Sequence, residues 1–172
     1  MKKTALLLLL AVLLQASALP ARAAPPQWVE GTHYDVLDQT QPTTVPAGKV
    51  EVMEVFSYAC PACNAFQPIV KQLERSLPRN AQMVFLPASF IPTEDWPMFQ
   101  RAYFAAQSLG IAERTHQAIY DAVWKTGELA TVDRQTERIK RPAPSIEDAA
   151  NYYARLTGVS PQTFLAAARS FG

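Results

Sequence analysis

The chain has 172 residues, of which 49% are apolar, and a formal charge of +1 from 16 basic and 15 acidic side chains. That size suits one domain with a core of its own. The near-neutral balance argues against nucleic acid as a partner, because phosphate binding relies on a basic surface.

Residues 1–23 have the pattern of an export signal. Lys2 and Lys3 give a charged start, Ala5 to Leu14 an unbroken apolar run, and Ala21-Arg22-Ala23 a small-residue cleavage site, so cleavage is predicted before Ala24. The apolar run has 10 residues, against the ~20 of a membrane span. No later stretch is long and apolar enough to cross, so no stable membrane insertion is expected. No cysteine stands at the junction for a lipid anchor. The expected location is an oxidising compartment, best matched by a bacterial periplasm. Without Lys2, Lys3 and Arg22 the remaining 149 residues carry 13 basic and 15 acidic side chains, a charge of −2.

Ala24 to Gly31 reads as a loose terminus, and Tyr34 to Leu37 as a short strand. Asp38 to Lys49, with Pro42, Pro46 and Gly48, reads as a loop. Val50 to Phe56 is the strongest strand in the chain, with the composition of one buried on both faces. Pro61 is placed for the first turn of a helix, and Phe66, Ile69, Val70 and Leu73 follow at helical spacing to about Leu77. Gln82 to Leu86 is a second strand. Strand, helix, strand is a unit that normally pairs its strands in parallel.

Helices follow. Pro97 to Leu109 stops at Gly110, Ala112 to Trp124 stops near Gly127, and Thr131 to Ile139 is a weaker helix ended by Pro142. Ser145 and Asp148 form a capping-box pattern for a helix to Thr157, and Ser160-Pro161 starts the last one. Five helices in a row do not continue an alternating sheet and predict a helical subdomain. Trp96, Phe99, Tyr103, Phe104, Trp124, Tyr152 and Tyr153 are read as its core or groove aromatics. His116 is read as a surface histidine among polar helix residues.

The two cysteines, Cys60 and Cys63, lie two residues apart in the sequence Cys60-Pro61-Ala62-Cys63, at the junction of the strongest strand and the first helix. That spacing at a helix start lets both sulfurs meet in a small ring. The free N–H groups and positive dipole end of the helix favour a thiolate on the first of them. A stabilised thiolate attacks readily and also leaves readily, so a disulfide there passes easily to another protein. Pro61 fixes the helix-start geometry without loss of a hydrogen bond. Cys60 is thus expected to be the attacking cysteine and Cys63 the resolving one. Three other readings stay open: a structural disulfide, worth ~2 kcal/mol for so short a ring, a zinc site drawing on His33 and His116, and free buried thiols. Glu54 shares a strand face with Val52 and Phe56, which predicts a carboxylate beneath the pair that exchanges a proton with Cys63. The alternative is a carboxylate reaching solvent past the strand edge.

Residues Val50 to Gln67, VEVMEVFSYACPACNAFQ, closely resemble the active-site region of the DsbA family of periplasmic thiol:disulfide interchange proteins. The likeness extends more loosely to Gly31-Thr32-His33-Tyr34 and to the helices through Phe171. It implies an α/β, thioredoxin-like fold with an inserted helical domain, the first half of the thioredoxin-like domain spanning 24–92 and the helical insertion 93–172. It implies Cys60 as the exposed catalytic cysteine, Cys63 as its partner and Glu54 as the buried acid. The expected partners are reduced or unfolded exported proteins and a quinone-linked membrane oxidase of the DsbB family. No cofactor is expected. Strongly oxidising members carry histidine where this chain has Ala62, so a weaker oxidant is expected, or a disulfide isomerase or reductase. The family's cis-proline strand, final strand and closing helix have no counterpart in this sequence, and Pro161, at a helix start, does not supply that proline. A C-terminally incomplete member, a fragment or frameshifted product, is therefore expected, with an exposed edge on Val50 to Phe56, low stability and poor activity. A non-catalytic, chaperone-like helical domain with a structural disulfide is the alternative from a different class.

Overall fold

A computed structural model describes residues 28–170 apart from 92, 94 and 134. The expected export signal and its cleavage point lie outside the described residues. The chain divides into two compact units, 1–42 and 43–172.

In the first unit, Gly31 N–H donates to Tyr34 O, and Thr32 and His33 N–H to Val29 O. These bonds curl the chain into a turn at Gly31, whose φ of 75° suits glycine. The strand expected over Tyr34 to Leu37 does not form. Only Tyr34 bridges, to Glu30, because the turn uses the local bonds and Val36 and Leu37 stand exposed without a pairing partner.

In the second unit, β1 (Val50–Phe56), α1 (Pro61–Ser76) and β2 (Ala81–Pro87) make the expected strand-helix-strand unit. The strands pair in parallel from Val50 opposite Ala81 to Phe56 opposite Pro87. Glu54 and Phe85 are partners in that register, and their face is the covered one. The opposite face is open: Met53 and Val55 are 43% and 49% exposed. β1 was expected to be buried on both faces. It is not, because the sheet has two strands among the described residues and only one face is packed.

Four helices follow: α2 (Trp96–Ser108), α3 (Ala112–Trp124), α4 (Ile146–Thr157) and α5 (Pro161–Arg169). α2 lies against the other three and against β2. The Ser145 hydroxyl accepts the Asp148 N–H and the Asp148 carboxylate accepts the Ser145 N–H, so the capping box expected from sequence starts α4. Gly158, in the left-handed region, ends it. Pro161 takes the first position of α5 behind the Ser160 cap. The Arg141–Pro142 peptide is cis.

The weak helix expected over Thr131 to Ile139 is absent. Asp133 Oδ1 accepts the N–H groups of Gln135 and Thr136, both at 2.9 Å, and the chain folds back so that Val132 bridges Ile139. A short acidic side chain that caps its own following residues offers the backbone an alternative to the helix. Here that alternative prevails, with Glu137 at a positive φ of 56°.

The core is aromatic. Phe56 and Tyr58 from the β1 end meet Phe99 and Tyr103 of α2 and Tyr120 of α3, mostly edge to face with centroids 5.0–6.4 Å apart. Tyr153 of α4 stacks on Phe164 of α5 at 4.5 Å. Of the aromatics expected in this core, Trp96, Phe99, Tyr103, Tyr152 and Tyr153 are buried, while Phe104 and Trp124 are half-buried.

Candidate redox site

Cys60 is the N-cap of α1, and its extended backbone (φ −82°, ψ 117°) places the sulfur over the first turn. Cys60 Sγ accepts the Cys63 N–H at 3.3 Å, occupying one of the donors that a helix start leaves unpaired. Pro61 sits in the first turn, where its missing N–H costs nothing. Cys60 N–H donates to Ser57 O and Asn64 N–H to Cys60 O. Both cysteines are free and half-buried; Pro61 and Ala62, between them, are exposed.

Burial pushes the Cys63 thiol up to about 11. Its hydrogen bond with Cys60 and the negative charges that Cys60 and Glu54 can carry push the same way, against a backbone bond to Ser57. A thiol so placed holds its proton at neutral pH.

Glu54 is on the covered sheet face, opposite Phe85. Gln67 Nε2 donates to its Oε1 at 3.4 Å, while Oε2 is buried without a hydrogen-bond partner. Desolvation raises its pKa, and the Gln67 bond opposes that only in part. Glu54 and Cys63 line one groove of about 480 Å³ with Ala62, Phe66, Val70 and Met83. A larger cavity of about 710 Å³, between α1, β2, α2 and α3, contains neither cysteine.

His116 is not on the surface. It is 8% exposed, its ring lies 4.7 Å from Phe85 and 4.9 Å from Phe56, and its Nδ1 shares a 3.0 Å hydrogen bond with Tyr58 Oη. The surface expectation rested on the polar residues of its helix. It overlooked that 116 falls on the stripe of Ala112, Ile119, Tyr120 and Val123, which is the buried face of α3. Sequence reasoning also passed over Tyr58, whose carbonyl accepts the Trp124 Nε1–H at 2.8 Å, and Gln67. Among the described residues no three His, Cys, Asp or Glu side chains gather as metal ligands would.

A parallel strand-helix-strand unit with a Cys-X-X-Cys sequence capping its helix, joined to a helical subdomain, defines a thioredoxin-like α/β protein. The chain is 31% identical to the thiol:disulfide interchange protein DsbA of Pseudomonas aeruginosa, over 96% of this chain and 70% of that one. It is 34% identical to DsbA of Burkholderia cepacia over 73% of this chain and 57% of that one. The crystal structure of the oxidoreductase DsbA from Xylella fastidiosa superposes with a TM-score of 0.60 at 32% identity, over 72% of this chain and 60% of that one. No protein-family profile matches. The chain belongs to the DsbA family, and it spans 57–70% of the length of these two relatives.

Proposed function

We propose that this chain is a protein-disulfide oxidoreductase whose Cys60–Cys63 disulfide passes to reduced exported polypeptides as they fold. One observation carries this reading: Cys60 caps α1 with its sulfur on the Cys63 N–H, where a helix start favours a thiolate and hence a good leaving group.

In the forward step a substrate thiolate attacks Cys60 Sγ. A substrate–Cys60 disulfide forms, the Cys60–Cys63 bond breaks, and Cys63 leaves with the electron pair and takes up a proton. Glu54, its pKa raised by burial, is placed to supply that proton. A second substrate thiolate then attacks the substrate sulfur of the mixed disulfide and releases Cys60 as thiolate. The substrate loses two electrons and becomes a disulfide; Cys60 and Cys63 gain them. A quinone-linked membrane oxidase of the DsbB family is the expected acceptor that restores the disulfide. The site of action is the periplasm, after removal of residues 1–23, and the helices from residue 93 onward form the insertion domain. Among the described residues no helix is long and apolar enough to cross a membrane.

The test follows the oxidised chain with a reduced dithiol peptide. Disulfide transfer is expected, lost in Cys60→Ser, while Cys63→Ser, offered the oxidised peptide instead, should stall as a mixed disulfide at Cys60 because no second thiol resolves it. With Ala62 in place of histidine, the equilibrium with glutathione should give a potential below the ~−120 mV established for DsbA itself. A Cys60–Cys63 bridge that resists mild reduction, with no Cys60 reactivity at pH 6 after forced reduction, would show a structural disulfide instead.

A further inference from the structure

The segment leading into Cys60 is buried throughout: Ser57, Tyr58 and Ala59 are 2%, 1% and 6% exposed. Buried backbone needs partners for its polar groups, and α3 supplies two bonds to this segment. Trp124 Nε1–H donates to the Tyr58 carbonyl at 2.8 Å, and the Tyr58 hydroxyl shares its 3.0 Å hydrogen bond with His116 Nδ1. The Tyr58 ring packs edge to face among Phe56, Phe99 and Tyr120.

We infer that Tyr58, His116 and Trp124 are positioning residues for Cys60: the two hydrogen bonds from α3 hold the turn that seats the Cys60 sulfur on the Cys63 N–H. This rests on the exchange chemistry proposed above for Cys60. Within the turn, Cys60 N–H donates to Ser57 O and Ala59 N–H to Ser57 Oγ. These bonds close one turn around Tyr58, so a rotation there disturbs the seat of Cys60. A hydrogen bond from N–H to a sulfur weakens steeply when the donor is misaligned, so loss of the grip weakens the Cys63 N–H contact on the attacking sulfur without touching either cysteine. Burial, reinforced by the nearby Lys71 ammonium, pushes the imidazole down to about 4. The bond to Tyr58 is thus one between uncharged groups at neutral pH.

The test measures iodoacetamide alkylation of the reduced full chain against pH, with urea unfolding alongside. Tyr58→Phe and His116→Leu should each slow Cys60 alkylation at pH 6 roughly fivefold, the worth of one hydrogen bond. The double variant should be no slower than either single one, and His116→Asn, whose amide can stand in for Nδ1, should recover most of the wild-type rate. Tyr58→Phe removes only one oxygen and keeps the fold testable if His116→Leu does not. Profiles of folded Tyr58→Phe and His116→Leu that superimpose on a fast wild type would overturn the positioning role alone. A wild type without a fast cysteine overturns that role and the exchange reading together.

Discussion

Glu54 and His116 meet burial with opposite consequences, and each carries a test. A carboxylic acid whose folded pKa is raised binds protons that the unfolded chain has already lost, so it subtracts stability as pH rises through the window above its usual value of 4.5. Glu54→Gln should therefore be more stable than wild type at pH 7, and that advantage should shrink at pH 3, where the wild-type carboxyl is protonated in both states. Because the Glu54 charge helps raise Cys63, the same variant should move Cys63 alkylation to lower pH. Urea unfolding at the two pH values and an alkylation profile check both halves; equal stability at pH 7 would place Glu54 in free contact with water. His116 has the reverse sign. Its folded value of about 4 lies below the usual 6.5, so the unfolded chain takes up a proton that the folded chain refuses, and stability falls as pH drops from 6.5 towards 4. At pH 4.5 this amounts to on the order of 2 kcal/mol, lost in wild type relative to pH 7 and retained in His116→Asn. The comparison between variants matters because Glu54, raised from 4.5, contributes with the opposite slope. At this scale the helix start at Cys60 and Pro61 was legible because it lies in local spacing. His116 was also within reach, as residue 116 falls on the buried stripe of α3. The partnership of Tyr58 with His116 and Trp124 was not, since it joins segments 58 and 66 residues apart and depends on how α3 docks.

At the scale of elements, the local signals that involve a cap and a period together were the readable ones. Ser145, Asp148 and Gly158 mark both ends of α4, and Pro161 behind Ser160 marks the start of α5. Ser145→Ala should cost about 1 kcal/mol by removing the acceptor of the Asp148 N–H, and α4 presents Ala149, Ala150, Tyr152 and Tyr153 to the core. The loss should therefore appear as a lower urea midpoint for the whole transition, with helix content unchanged at zero denaturant. A change confined to local fraying would mean that α4 is not coupled to the rest of the fold. Thr131 to Ile139 shows the converse. Its residues permit a helix, but Asp133 bonds to the two N–H groups ahead of it, and one side-chain choice of that kind outweighs a weak period. β1 was placed to the residue, yet its burial was overstated. An apolar run without alternation specifies a strand and leaves open how many neighbours cover it.

At the scale of the whole molecule, the open sheet face and the exposed apolar side chains of α1 set the main physical hazard. Met53 and Val55 are exposed on β1, Leu86 on β2, and Phe66, Ile69 and Leu73 on α1, while β1 has no partner along its outer edge among the described residues. Exposed apolar side chains next to unpaired strand N–H and C=O groups are a template for pairing with another chain. A polypeptide of residues 24–172 should therefore self-associate with rising concentration, visible by light scattering at ~10–100 µM, where such exposed surfaces aggregate. Met53→Lys places a charge at the centre of the open face and should raise the onset severalfold, because an edge charge must be desolvated when a second strand pairs beside it. The substituted side chain is 43% exposed, so stability to urea should stay within ~0.5 kcal/mol of wild type, which distinguishes blocked association from a damaged fold. A 24–172 chain that remains monomeric at ~100 µM, or a Met53→Lys variant that associates as readily as wild type, would mean that this apolar face is not what drives contact between chains.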